Sequence, residues 1–416
     1  MDHNGIIALG AAALLLLMDG CTDGSFLASP PRMGHQGGKR TPAAASALSQ
    51  EEESSGGIHV YATAIRFARG YDWQEDSIPR FRFAELVLLR DGHEIMSMEA
   101  GSTEPYSHRL IDGHLYYADS GREDGTTVSR DGDSLFTIPA KESVLGLAVL
   151  SDSTVLTVGQ SQEQGLSFRR NGETVFQDAQ GTLLGDADEG TRKNGLLSVH
   201  GGMGYYAYSV RVGSSRQYRV MREGDNILTL SQGKVNEMLD MRIIEGEILR
   251  VEKSSPENSS TLFVIGDSSF SLDLTDEQSP RLCHIIPWNG EPAVKGYIQY
   301  PDGQFRHFVK GIDGDILETE KGERLYDILE EDGEAAYLVS EEGDMISQAV
   351  REDDGAVPDL SGGLYRSISH RCVLLSGGHL YLALTGVDGT PNTLFVDDSP
   401  EEIPFNGYFT SVWVGE

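Results

Sequence analysis

Two nearly identical segments carry the side chains best suited to bind a ligand. Residues 107–109 read Ser-His-Arg and lead into Gly-His-Leu-Tyr at 113–116, and residues 369–371 and 378–381 repeat both motifs. An arginine guanidinium is a planar fork that matches a carboxylate. We therefore predict an anionic ligand, such as an acidic sugar or a peptide carboxyl terminus, contacted by His108, Arg109, His370 and Arg371. The alternative is that these side chains only line a wet channel.

A long loop at residues 70–79 is the second candidate, and it holds one of only three tryptophans in the chain. Exposed aromatic rings offer a stacking surface for a sugar, and a neighbouring carboxylate can accept its hydroxyls. Tyr71, Asp72 and Trp73 are therefore predicted to bind ligand. Loops of this length within a compact fold are often functional. The alternative is a tolerated surface insertion, and it applies equally to the second long loop, residues 178–194.

The sequence contains no spacing that identifies a catalytic or metal centre. It has no His-Glu-x-x-His, no Cys-x-x-Cys, no Gly-x-Ser-x-Gly and no phosphate-binding glycine loop. Its 65 acidic residues allow too many carboxylate pairs to nominate a glycosidase centre. We predict no cofactor and no metal, and the pattern favours a non-catalytic module over an enzyme.

The elements that must position these residues repeat along the chain. A tight turn of the Arg-Asp-Gly type returns eight times, at spacings of 40 to 52 residues, beginning at residues 90–92 and 130–132. Asp-Gly or Asn-Gly between apolar, β-branched runs predicts a hairpin, because a two-residue primed turn needs positive φ. Two further apolar runs precede each hairpin. Four strands in each unit of this length predict one blade of a β-propeller.

The whole of residues 58–416 resembles a β-propeller of the kind found in anchored surface lipoproteins of Gram-negative bacteria. The expected fold is all-β, with eight blades of four antiparallel strands. Residues 58–67 read as the second strand of blade one, and residues 408–414 form a lone strand after the last hairpin. We predict that this last strand completes blade one and closes the ring, which removes two open sheet edges. Blades one, two and eight then become neighbours, so the Ser-His-Arg segments would flank the Trp73 loop on one face.

The charge of the chain excludes some partners. The formal net charge is −32, from 33 basic and 65 acidic residues. Nucleic acid and anionic lipid surfaces need clustered positive charge, so neither is an expected partner. The acidity is spread over the turns, which is typical of a solubilising surface.

The N-terminus predicts export and a lipid anchor. An apolar stretch at residues 6–18 is too short to cross a bilayer but suits a signal-peptide core, and it ends at Gly20-Cys21. A cysteine in this position resembles the lipobox of bacterial lipoproteins, which implies that Cys21 is acylated. We therefore expect residues 1–21 to be a signal peptide and residues 22–57 a disordered tether rich in Pro, Ala, Ser, Glu and Gly, and the alternative is a plain secretory signal cut nearby. The expected location is the cell envelope, in the outer membrane, periplasmic or surface-exposed.

Two functions remain open from the sequence. The first is a non-catalytic binding or scaffold module for an extracellular glycan, a peptide or a partner envelope protein. The second is a hydrolase or lyase that acts on an extracellular polymer at the channel mouth. The absence of a catalytic signature favours the first, and analysis of the products formed from any bound polymer would separate them.

The anchor gives a direct prediction. Cys21→Ser should move the protein from the membrane pellet to the soluble fraction without changing its melting temperature, because acyl chains contribute about 0.8 kcal/mol per buried methylene and the propeller itself has no predicted membrane contact. Fractionation followed by immunoblotting measures this. A variant that stays in the pellet would contradict the lipobox assignment.

Overall fold

Consecutive segments of the chain fold into separate antiparallel sheets. The structure is a computed structural model, and it describes residues 58–74, 84–100, 107–120, 125–187, 194–231, 237–253, 261–272, 280–288, 291–331, 334–340, 345–351 and 355–415. The predicted signal peptide, Cys21 and the tether lie outside the described residues, as do parts of both long loops.

The first four blades occupy the N-terminal half of the ring. Blade one contains β1 (His59–Phe67), β2 (Ala84–Arg90) and β3 (His93–Glu99). Blade two contains β4 (His108–Ile111), β5 (His114–Asp119), β6 (Thr126–Arg130) and β7 (Asp133–Ile138). Blade three contains β8 (Ser143–Val149), β9 (Val155–Ser161), β10 (Gly165–Arg170) and β11 (Glu173–Asp178). Blade four contains β12 (Thr182–Leu183), β13 (Ser198–His200), β14 (Met203–Val212), β15 (Ser215–Arg222) and β16 (Asp225–Ser231).

The second four blades follow in the same order. Blade five contains β17 (Glu237–Ile244), β18 (Glu247–Lys253), β19 (Thr261–Ile265) and β20 (Ser268–Ser271). Blade six contains β21 (Pro280–Trp288), β22 (Glu291–Gln299), β23 (Phe305–Gly311) and β24 (Gly314–Glu318). In blade seven, β25 (Arg324–Glu331), β26 (Glu334–Ser340) and β28 (Gln348–Arg351) lie in the described residues. Blade eight contains β29 (Tyr365–Arg366), β30 (Val373–Ser376), β31 (His379–Gly386), β32 (Thr393–Val396) and β33 (Ser399–Glu402), with β27 (Met345–Ile346) paired to β29.

The repeated turns have the geometry that the sequence predicts. Asp91 and Gly92 have φ values of 48° and 73°, and Asp131 and Gly132 have 50° and 90°. Two successive positive φ angles define the primed turn whose twist matches that of the flanking strands. The predicted β-propeller of eight four-stranded blades is confirmed.

The turn residue also fixes the start of the second strand in its own blade. The Asp131 carboxylate accepts a hydrogen bond from the Leu115 amide at 2.8 Å and contacts His114 Nδ1 at 2.7 Å. Asp397 does the same with Leu380 and His379, at 2.9 and 2.7 Å. The histidine of the repeated Gly-His-Leu-Tyr motif therefore has a structural role, because it pairs with the turn aspartate. We call the end of each blade that carries these hairpin turns its lower end.

The ring is closed by the last strand, β34 (Gly407–Gly415). It pairs antiparallel with β1, from His59 opposite Gly415 to Arg66 opposite Gly407. Phe409 and Val412 of this strand are buried, and they pack with side chains of blade eight and blade one. The predicted closure is therefore confirmed, and blade one is built from the two ends of the propeller sequence.

Removal of the closing strand should destabilise the entire domain. Deleting residues 408–416 takes away several buried large apolar side chains, each of which stabilises the fold by about 1.5–3 kcal/mol, and it exposes two sheet edges. The sum is comparable to the total stability of an ordinary domain. We expect a truncated protein that aggregates or melts at a much lower temperature by circular dichroism. An unchanged melting temperature would show that the ring does not depend on its closure.

Candidate functional site on the upper face

Sheet pairing determines which residues share a face of the ring. Gly407 begins the inner strand of blade one, and it lies opposite Arg66 near the end of β1. The loop after β1, which contains Tyr71 and Trp73, therefore lies at the same end of the blade as the start of the inner strand. We call the face of the ring that carries these starts the upper face. It contains the loops between second and third strands and the segments that join successive blades.

His108 lies at the seam between blades one and two. Its Nε2 atom is 3.1 Å from the Thr63 hydroxyl of β1 and 2.8 Å from the Thr410 hydroxyl of β34. The two hydroxyls lie 2.8 Å apart, and Thr63 also contacts the Ser411 hydroxyl. All of these side chains are buried. A single imidazole thus connects blade two to both strands that close the ring.

The surroundings of His108 keep it neutral. Burial, reinforced by the positive charges of Arg371 and Arg109, holds the pKa of His108 well below its ordinary value of 6.5. Its side chain is only 1% exposed. The sequence predicts His108 as a ligand contact, but the imidazole is enclosed by the ring-closing hydroxyls and offers no surface to a ligand.

The two Ser-His-Arg segments meet at one backbone carbonyl. Nη1 of Arg109 and Nη1 of Arg371 each donate to the His108 carbonyl oxygen at 3.0 Å. Arg371 belongs to a 3-10 turn, His370–Cys372, between β29 and β30, and the Ser369 hydroxyl accepts from its amide at 3.2 Å. The side chain of His370 is outside what the structure describes. The predicted proximity of blades two and eight is thus present in the structure.

Both arginine side chains are buried. Arg109 is 3% and Arg371 is 7% exposed. Nη2 of Arg109 also reaches the Ala187 carbonyl, in the second long loop, at 3.5 Å. These contacts tie loops and blades together, and ligand binding by Arg109, His370 and Arg371 stays a prediction.

The Trp73 loop does not present an exposed aromatic platform, contrary to the sequence-based expectation. Trp73 is 8% exposed, with its ring centroid 5.0 Å from that of Tyr408 and 6.3 Å from that of Phe67. Tyr71 is half-buried on the other side of Phe67. Asp72 is exposed and accepts a hydrogen bond from the Gln74 amide. The indole is buried because Phe67, at the end of β1, and Tyr408, at the start of β34, form an apolar surface against which it packs.

A groove runs along this seam between blades eight and one, divided by a ridge formed by Phe405 and Asn406. Each side of the ridge is a cavity of about 500 Å³. We call them the first and second lobes. The first is lined by Trp73, Gln74, Gly386, Asp388, Gly389, Thr390, Pro391, Asn392 and 404–407. The second is lined by Arg66, Phe67, Ala68, Arg69, Gly70, Glu85 and 404–406.

Two asparagines hold the ridge in place. Nδ2 of Asn406 donates to the carbonyls of Ala68 and Tyr71 at 3.1 and 2.9 Å. Nδ2 of Asn392 donates to the carbonyls of Phe405 and Gly407 at 3.0 and 3.2 Å. Because these bonds fix the loops before a ligand arrives, less ordering free energy is lost on binding.

The groove combines an apolar ridge with polar walls. Phe405 is half-buried and its ring meets Phe409 edge-on at 5.2 Å, while Asp388 and Gln74 are exposed in the first lobe. Sequence reasoning found Trp73 but missed Arg69, Phe405, Asn392 and Asn406. The one available signal was the position of residues 404–407 directly before the closing strand.

Neither a metal centre nor a membrane-spanning helix occurs in the part of the chain that the structure describes. No group of three or more His, Cys, Asp or Glu side chains there could hold a metal ion. None of the helices in the same residues is long and apolar enough to cross a bilayer.

Comparison with known proteins yields similarity of fold alone. No family model and no curated protein matches the sequence. Among solved structures, the dihydro-heme d1 dehydrogenase NirN, in complex with DHE, is 12% identical, with a TM-score of 0.49 over 84% of this chain and 74% of that chain. BamB from Moraxella catarrhalis is 12% identical, with a TM-score of 0.42 over 79% and 95%. TolB from Acinetobacter baumannii is 9% identical, with a TM-score of 0.33 over 85% and 82%.

The role of His108 in ring closure is testable against a matched histidine. His108→Ala should lower the free energy of unfolding by about 1–3 kcal/mol, because it leaves buried threonine hydroxyls without their imidazole partner. His114→Ala removes an exposed histidine–carboxylate pair and should cost less than about 1 kcal/mol. Chemical denaturation of both variants measures the difference.

The same variant should show a defined pH dependence. The folded-state pKa of His108 lies below 6.5, so its contribution to stability is complete above that pH and declines as the pH falls and the unfolded state takes up a proton. The stability gap between wild type and His108→Ala should therefore narrow between about pH 7 and pH 5. A constant gap would show that His108 is not held neutral.

Proposed function

We propose that this protein is a non-catalytic binding module of the cell envelope that takes an extracellular glycan, a peptide or a partner protein in the upper-face groove. The observation that carries the proposal is the groove itself, which lies on the ring-closing seam between loops fixed by Asn392 and Asn406. Each lobe is within the usual volume of small-ligand sites, about 300–1,000 Å³.

The lining suits a ligand with an apolar face and several hydroxyls. Phe405 provides a partly exposed ring at the centre, and Trp73 closes the floor of the first lobe. Asp388, Gln74 and exposed backbone surround them. Aromatic rings beside carboxylate and amide groups favour a sugar ring, whose two faces are apolar and whose edge carries hydroxyls. Of the residues predicted from sequence, Trp73 lines this groove, and Tyr71 packs against Phe67, which lines the second lobe.

The anchoring part of the proposal rests on the N-terminal sequence. The apolar segment before Cys21 favours export and acylation, and residues 22–57 would connect the anchor to the propeller. The domain would then face an extracellular or periplasmic ligand while attached to the membrane only through its lipid. The dispersed net charge of −32 is consistent with a soluble domain that does not bind nucleic acid.

The proposal is tested by array screening of the full-length protein in detergent, using glycans and peptides side by side. Phe405→Ala should weaken binding of any hit by about tenfold or more, because a central aromatic anchor typically contributes at least 1–2 kcal/mol. Phe405 is the better target, since Trp73→Ala would also destabilise the core by about 3–5 kcal/mol.

Leu135→Ala is the matched control, because Leu135 is an exposed apolar residue on β7 of blade two. Chromatography of each bound polymer after incubation tests the alternative, a hydrolase or lyase. Binding that Phe405→Ala leaves unchanged would place the ligand elsewhere, and polymer cleavage by the wild type would replace the binding module with an enzyme.

A further inference from the structure

We propose that the second lobe is a carboxylate subsite built around Arg69, so that the ligand is an oligosaccharide containing uronic acid. This inference rests on the proposed binding function and specifies its ligand class. The second lobe contains two arginines and one glutamate, whereas Asp388 is the one charged side chain among the described residues that line the first. The ridge thus separates a cationic lobe from one that accepts hydrogen bonds.

Arg66 is already neutralised. Its Nε and Nη2 atoms donate to Glu85 Oε2 at 2.9 and 2.7 Å, and its Nη1 atom contacts Glu94. The hydrogen bond that Arg66 donates to Glu94, together with its bonds to Glu85, outweighs partial burial and raises the pKa of Arg66. Arg66 and its two carboxylate partners therefore form a fixed wall of the second lobe that carries no unpaired positive charge.

Arg69 is the second arginine of this lobe, and its charge is available to bind an anionic ligand. Its side chain is exposed, and it forms no hydrogen bond or ion pair with any residue that the structure describes. Its backbone is nevertheless fixed in a turn, in which the Tyr71 amide donates to the Ala68 carbonyl at 3.1 Å and Gly70 takes a φ of 88°. Asn406 holds the same two residues, 68 and 71. The guanidinium of Arg69 is thus carried by a backbone that hydrogen bonds hold in place at the second lobe.

An unneutralised arginine here matters because the rest of the chain is strongly acidic. With a net charge of −32, the long-range field repels anions, so an anionic group needs a local cation to bind. A guanidinium binds a carboxylate through two parallel hydrogen bonds. Across the ridge, Phe405 offers stacking and Asp388 accepts hydroxyl donors. A sugar acid presents this combination of carboxylate, apolar ring face and hydroxyls.

The groove is less suited to a peptide. Peptides that bind along a protein backbone need free main-chain groups at a sheet edge. Here the carbonyls of Ala68, Tyr71, Phe405 and Gly407 already accept hydrogen bonds from Asn406 and Asn392. The Gly386 amide is likewise bonded to Asn392 Oδ1. Recognition must therefore come mainly from side chains, which favours a sugar.

The test compares acidic sugars with their neutral counterparts. Tetrasaccharides of galacturonic, mannuronic and guluronic acid, each beside its carboxyl-reduced form, are titrated calorimetrically into the full-length protein in detergent. We expect at least one acid to bind about 10- to 100-fold more tightly than its reduced form, as a charge-assisted hydrogen bond allows. Arg69→Gln should abolish this preference, and Arg69→Lys should keep only part of it.

Arg90→Gln is the matched control, because Arg90 is an exposed arginine at the end of β2, next to the hairpin turn on the face opposite the groove. It makes the same change in net charge and should leave the preference intact.

Equal affinity for acidic and reduced sugars, or a preference that survives Arg69→Gln, overturns the carboxylate subsite. Selective binding of peptides through Phe405 overturns the uronate assignment but keeps the binding module. Binding that is insensitive to Phe405→Ala places the ligand outside the groove, and it overturns both the carboxylate subsite and the groove as the binding site.

Discussion

The pairing of the last strand with the first is the constraint on which the remaining structure depends. Each blade is a small antiparallel sheet that can bury its faces only between two neighbours, so an open ring would leave one face of two blades uncovered. β34 removes this problem by entering blade one beside β1. Thr63, Thr410 and His108 then seal the closure with buried hydrogen bonds between blades one and two.

The same constraint explains where the candidate site lies. Residues 403–407 must cross from the outer strand of blade eight to the inner position of blade one, and this crossing forms the ridge of the groove. Asn392 satisfies the carbonyls of Phe405 and Gly407 in this crossing, and Asn406 donates from the crossing to the Tyr71 carbonyl in the loop after β1. The proposed binding site therefore lies on a segment that is held by strands on both sides and by these hydrogen bonds.

Several polar groups that suggest recognition from the sequence have a structural role in this protein. His114 and His379 pair with turn aspartates, and His108 joins the ring-closing hydroxyls. The repeated motifs that first suggest a ligand site therefore form hydrogen bonds that connect strands to turns and one blade to the next. Arg69 lies in the loop after β1, outside the repeated sequence motifs, and it has no ion-pair partner among the described residues.

Local sequence determined the strands, the primed turns, the number of blades and the closure by residues 408–414, because apolar, β-branched runs and Asp-Gly turns act over a few residues. Burial was decided only by tertiary structure. The sequence predicts Trp73 to be an exposed aromatic residue of a loop, but in the structure it packs against Tyr408, more than 300 positions away. The sequence predicts His108 to contact a ligand, but in the structure its Nε2 atom forms a hydrogen bond with the Thr410 hydroxyl. Such contacts depend on how the ring closes, and no local pattern encodes which side chains meet at the seam.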